Sequence, residues 1–331
     1  MKNFISRFAV DLDAMLSYRE ALGFSRRSQE PALLNFDRYA ATHFPESDVL
    51  DREMVTSWID VQLEKTRNSG LAGKATAIRT FGKYLQAIGK GAYILPEEYA
   101  TPPKSTFTPY IFTDEELTRL FYAIDRMPVA AFDNPLGAKV PPVLFRLVYT
   151  CGLRPNEGRE LLRDNIDIKA GEIFITKTKR KKERIVVMSG DMQELCRKYD
   201  SMRESSGIAS IFFFPRQDGS AYTSPQLERI FKKCWEDANP TVDPYKLPNV
   251  RIYDLRHRFA SAVLNNWLDS EQNLYNKLPY LRAYMGHDNM SETVHYIHIL
   301  PENIKKAAGI DWESFETLIP VVRQEVSSWQ V

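Results

Sequence analysis

Between Leu95 and Leu117 the chain reads LPEEYATPPKSTFTPYIFTDEEL, and no single fold element can run through it. Pro96, Pro102, Pro103 and Pro109 each lack a backbone donor and keep the residue before them out of the helical region. The stretch therefore reads as an extended linker between two separately built parts. At 331 residues the chain is long for one compact domain and comfortable for two. Helical signals resume at Thr113, where T-D-E-E supplies a capping residue followed by acids in the first turn. The expected division is residues 1–106 and residues 107–331.

The first part reads as helices. Ala32, Leu33, Leu34, Phe36, Tyr39 and Ala40 recur at near-helical spacing, as do Val55, Trp58, Ile59 and Val61. A third pattern runs through Ala75, Ile78, Phe81, Tyr84, Leu85 and Ile88, and Gly89 stands where a helix C-cap belongs. The polar face of that helix carries Lys74, Arg79 and Lys83, either a stripe for backbone phosphates or the solvated face of an ordinary amphipathic helix. The second part is mostly helical with one strand pair. GEIFITKTK and ERIVVMS flank a short polar turn and read as a β-hairpin. The expected fold class is mainly α with a small hairpin or sheet in the second domain (α+β).

No run of about 18 apolar residues is present to span a membrane, and MKNFISRFAV lacks the apolar core of a secretory signal. Cys151, Cys196 and Cys234 are odd in number, far apart and without CxxC spacing, which disfavours a disulfide framework or a zinc site and fits a reducing cytoplasm. A net charge of +1 does not advertise a nucleic-acid partner, but local charge matters more than the total. From Lys177 to Arg184 six basic residues (Lys177, Lys179, Arg180, Lys181, Lys182, Arg184) face one acid, Glu183.

Three segments, together with the basic run from Lys177 to Arg184, carry residues suited to cutting a phosphodiester without metal. That reaction needs a nucleophile, cations on the nonbridging oxygens, a proton for the leaving oxygen and a group that orients the nucleophile. Arginine suits the second task, since its planar fork holds two phosphate oxygens and stays charged. Arg154 lies in YTCGLRPNEGREL, where Gly152 ends an apolar helix and Pro155 suits the first turn of the next. Arg256 lies in RIYDLRHRFAS, and YMGHDNMSETVHYIHI holds His287 with Tyr296 nine residues beyond it.

These segments, in this order, resemble the tyrosine recombinase (phage-type integrase) family over nearly the whole chain. The longer stretch WLDSEQNLYNKLPYLRAYMGH is closer to integrases of transposons and other mobile elements than to Xer-type resolvases. The resemblance implies a two-domain DNA clamp: a helical, SAM-like core-binding domain over residues 1–106 and a catalytic domain over 107–331. It implies Tyr296 as the nucleophile that forms a 3′-phosphotyrosine, with Arg154, Arg256 and His287 at the scissile phosphate and Glu157 bracing Arg154. A hairpin lysine protonates the leaving oxygen. Lys179 fits the family pattern without gaps, Lys177 is its rival, and Arg180, Lys181 and Lys182 are left for phosphate.

The family's usual histidine three residues before the second arginine is Tyr253 here. A tyrosine can hydrogen-bond a phosphate but is a poor base near neutrality. His257 reads as a packing or helix-bracing residue. His295 and His298 lack carboxylate partners at metal-binding spacing, which disfavours a metal site, and the resemblance implies neither metal nor organic cofactor. Implied partners are double-stranded DNA, a homotetramer on two DNA sites and accessory DNA-binding proteins, with no membrane. A type IB topoisomerase or a non-catalytic DNA-binding relative would share much of this pattern. The apolar stripe Trp312, Phe315, Leu318 and Ile319 suits either docking on a neighbouring copy or packing on its own domain.

Overall fold

The computed structural model describes residues 4–65, 68–99, 109–176, 183–270, 273–290 and 292–293. The chain falls into two compact units, one before the proline-rich break and one after it.

The first unit is built from α1 (Ala9–Ala21), α2 (Glu30–His43), α3 (Arg52–Lys65) and α4 (Asn68–Ala87). The apolar periodicity supplies its core: Phe8, Phe36, Trp58 and Phe81 are all buried. Their rings meet edge to face, Phe8 on Phe81 at 5.9 Å and Phe36 on Trp58 at 5.4 Å. Buried side chains of this size stabilise by about 1.5–3 kcal/mol each. The helix through Ala75 to Ala87 ends as its glycine implies. Gly89 takes φ +82°, and the Lys90 amide donates back to the Leu85 carbonyl at 2.9 Å.

The second unit is organised around α6 (Val140–Thr150), whose sequence VPPVLFRLVYT is apolar on nearly every face. It is surrounded accordingly. α5 (Asp114–Asp125), α7 (Pro155–Arg159), α8 (Gly190–Ser205), α9 (Ser224–Asp237) and α10 (Ile252–Asp269) all pack against it. Thr113 caps α5 as expected: its hydroxyl accepts from the Glu116 amide, and the Glu116 carboxylate accepts from the Thr113 amide at 2.9 Å. α11 (Leu274–Met285) lies against α10 over a smaller core of Leu264, Leu278 and Met285.

The hairpin forms from β2 (Glu172–Ile175) and β3 (Arg184–Val187), antiparallel with Ile173 opposite Val186. A short strand the alternation does not reveal, β1 (Ile166–Asp167), adds to the outer side of β2. Two residues are too few for a periodic signal. Ile173, Ile175 and Val186 are buried, while Phe174, Ile185 and Val187 are exposed on the other face. Among the described residues no helix is long and apolar enough to cross a membrane.

Candidate active site

Two helix junctions and one strand end converge in the second unit. The first junction joins α6 to α7. Gly152 takes φ +62° there, and a Cβ at this position would fall 2.5 Å from a Phe259 ring carbon. Glycine is thus required on two counts, backbone conformation and space. Pro155 starts α7, and Arg154 is held between the two as its N-cap. The second junction is the end of α11, where Gly286 takes φ +66° and His287 follows directly.

The arginines tie these junctions together. Arg256, on α10 and wholly buried, donates to the Gly152 carbonyl at 2.5 Å and to the Met285 carbonyl at 2.6 Å. Arg154 donates to the Gly286 carbonyl at 2.5 Å and to a Glu157 carboxylate oxygen at 2.8 Å. Each arginine thereby holds a carbonyl on the segment that carries another member of the group. The Arg154 side chain keeps about 30% exposure, so its charge borders solvent.

A third guanidinium completes the set. Arg184, the first residue of β3, grips Glu157 with both terminal nitrogens at 2.9 and 2.7 Å, and its Nε donates to the Tyr284 carbonyl at 2.8 Å. Charge composition alone counts Arg184 among six cations of a solvated turn. Strand parity gives the better signal, because Arg184 shares a face with buried Val186 two residues on.

The electrostatics follow from this crowding. Burial alone would push the Glu157 carboxyl up, but Arg184, the Arg154 amide and Arg256 outweigh it and hold its pKa at about 2. Burial opposes charge on Arg154, yet Glu157 and then Tyr253 leave its pKa raised. His287 is 5% exposed. Burial, then the charges of Arg256, Arg154 and Arg184, bring its pKa down to about 3. The imidazole is therefore neutral at physiological pH. Its Nδ1 lies 2.8 Å from the hydroxyl of buried Thr293, a contact no sequence spacing indicated.

Tyr253 stands in the first turn of α10, half-buried, its ring 6.0 Å from the Arg256 guanidinium and 4.9 Å from the His257 ring. His257 lies 3.9 Å from the Asp254 carboxylate. That carboxylate accepts from the Arg251 amide at 2.8 Å and closes the start of α10. Arg154, Glu157, Tyr253, Arg256, His257 and His287 thus share one neighbourhood. Tyr296, Lys177, Lys179, Arg180, Lys181 and Lys182 lie outside the described residues, as do His295, His298 and the stripe from Trp312 to Ile319.

A family model described as "Phage integrase family" matches residues 111–303, more than half of the chain. The chain belongs to the phage integrase family. It is a tyrosine recombinase, a site-specific DNA recombinase that cuts and rejoins strands. A putative integrase/recombinase y4rB of Sinorhizobium fredii is 26% identical, over 92% of this chain and 96% of its own. Tyrosine recombinase XerC of Oceanobacillus iheyensis is also 26% identical but over 77% of each chain. By that coverage this recombinase sits nearer the y4rB integrase than this Xer-type relative. The fold is similar to that of the Tn1549 transposon integrase in complex with circular intermediate DNA (TM-score 0.59, 14% identity, 93% of this chain and 99% of that one). It is equally similar to the XerH recombinase bound to difH substrate (TM-score 0.59, 20% identity, 92% and 84%).

In the first unit of this recombinase, Arg79 is engaged by the chain itself. It donates to the Leu95 and Pro96 carbonyls at 2.8 and 2.7 Å and so braces the segment that leaves α4. Lys74 donates to Gln62 at 2.7 Å, and Lys83 is exposed. Among the described residues no group of three or more His, Cys, Asp or Glu side chains could hold a metal ion.

Proposed function

We propose that this recombinase cleaves DNA with Tyr296, which attacks the scissile phosphate, forms a 3′-phosphotyrosine and frees a 5′-hydroxyl. The observation that carries the reading is the convergence of Arg154, Arg256 and His287, from three separate segments, around one carboxylate-braced cluster. Charge that develops on the nonbridging oxygens meets a guanidinium at the cluster's solvent border and a second, wholly buried one behind it. Such preorganised charge in a desolvated site stabilises the transition state without reorganising. His287, being neutral, contributes a hydrogen bond rather than a cation. Lys179 supplies the proton to the leaving oxygen, with Lys177 the alternative. Tyr253 adds a hydroxyl where relatives carry histidine.

Its substrate is double-stranded DNA, bound by both the core-binding and the catalytic domain, residues 1–106 and 107–331. Lys74, Lys83 and the basic turn meet the backbone phosphates. Strand exchange requires a tetramer on two DNA sites, and lambda integrase, a similar fold, is described as a tetramer bound to a Holliday junction. The biological role is integration, excision or transposition of a mobile element, in the cytoplasm. Accessory DNA-binding proteins would select its direction.

The test is covalent capture on nicked suicide DNA from the sequences flanking the gene, with Tyr296→Phe in parallel. A slow-migrating adduct that maps to a 3′-phosphate and vanishes in the variant is expected. Tight binding to one fragment with no adduct from wild type would overturn the catalytic reading.

A further inference from the structure

His287 has two ring nitrogens, and which one carries the proton decides what it can offer a phosphate. With its charge suppressed by burial and three guanidinium groups, the ring holds a single proton. Its Nδ1 is 2.8 Å from the Thr293 hydroxyl, and Thr293 is 0% exposed. A buried hydroxyl needs an acceptor for its own proton. Among the described residues the Thr293 hydroxyl bonds to Nδ1 and to no other acceptor. Were Nδ1 protonated, the hydroxyl proton would have none.

We infer that Thr293 is a positioning residue: its hydroxyl donates to Nδ1 of His287 and so fixes the imidazole proton on Nε2. The neutral ring can then donate to a nonbridging phosphate oxygen. The opposite tautomer would present a lone pair to that oxygen and repel it. One short bond therefore makes a hydrogen-bond donor of a histidine that stays uncharged near neutral pH. Thr293 also stands three residues before Tyr296, so the same bond ties the histidine to the stretch that carries the nucleophile. The benefit to cleavage rests on the catalytic reading above; the tautomer itself does not.

The experiment combines 15N spectroscopy of histidine-labelled full-length protein with adduct formation on nicked DNA. A His287→Gln difference spectrum assigns the ring among the five histidines. Wild type at neutral pH should show His287 protonated on Nε2 alone. Thr293→Val, which keeps the shape and removes the hydroxyl, should mix the tautomers and slow adduct formation about tenfold with DNA binding unchanged. Thr293→Ser should restore both. A wild-type ring protonated on Nδ1 overturns the inference, even if the valine variant fails to fold. So does a folded Thr293→Val protein with unaltered tautomer and rate. An Nε2-protonated ring in a wild-type enzyme that forms no adduct would uphold the lock and count against the catalytic reading alone.

Discussion

The Arg184 guanidinium holds the Glu157 carboxylate with both terminal nitrogens, at 2.9 and 2.7 Å, and both side chains are about nine-tenths buried. The same carboxylate braces Arg154 at 2.8 Å. One acid thus links the strand that follows the basic turn to the junction that presents the first arginine.

Removing Arg184 takes two charge-assisted hydrogen bonds from a buried carboxylate and, among the described residues, leaves Arg154 as its remaining ion pair. Arg184→Met is expected to destabilise the protein by about 3 kcal/mol or more. Glu157→Gln should recover part of that loss when combined with it. Urea unfolding of the two single variants and the double variant gives the coupling. Additive effects would mean that the pair does not act as a unit.

Gly152 and Gly286 should fail differently when changed to alanine. Both hold positive φ, so each substitution strains the backbone by about 1 kcal/mol. At Gly152 the new Cβ also meets a Phe259 ring carbon at 2.5 Å, and stability should fall further. At Gly286 it meets the ends of Arg184 and Arg154 at 3.1 and 3.4 Å, which can move. Gly286→Ala should therefore keep more stability yet lose more cleavage, as melting curves and adduct assays would show.

His287 has a pKa depressed to about 3 in the folded protein, below its ordinary value near 6.5. Its contribution to stability is thus fully present above pH 6.5 and is lost as pH falls toward 3. Between pH 6 and 4 wild type should lose about 1.4 kcal/mol per pH unit more than His287→Gln. Parallel denaturant curves across that range would reveal a constant difference instead if the histidine titrates normally.

Tyr253 provides a hydroxyl beside Arg154, whose pKa it helps to raise. Tyr253→Phe keeps the ring near Arg256 and removes only that oxygen. A lost hydrogen bond to a charged group corresponds to about 1.5–3 kcal/mol, so adduct formation should fall at least about tenfold with little change in DNA affinity. An unaltered rate would assign Tyr253 to packing alone.

Much of the local architecture was readable because its causes are local. Proline placement marked the break, Thr113 and Glu116 marked a helix start, and Gly89 and Gly152 marked helix ends through the φ they permit. Motif order singled out Arg154, Arg256 and His287, which the structure brings into one neighbourhood. Strand β1 was not, since two residues carry no period. Arg184 was hidden by its neighbours, a cation among cations, although its parity with Val186 pointed inward.

From sequence alone came the identities of the chemical groups, their order and the family they resemble, because those depend on residue type and spacing. Tertiary structure decided how the groups are paired. That Arg256 spans Gly152 and Met285, and that Glu157 serves distant Arg184 as well as its neighbour Arg154, join residues brought together only by packing, and the local path of the chain after Gly286 sets Thr293 against His287 Nδ1. The pKa values follow from the same cause. A histidine near 3 and a glutamate near 2 require buried charges converging from distant segments, and burial is a property of the fold.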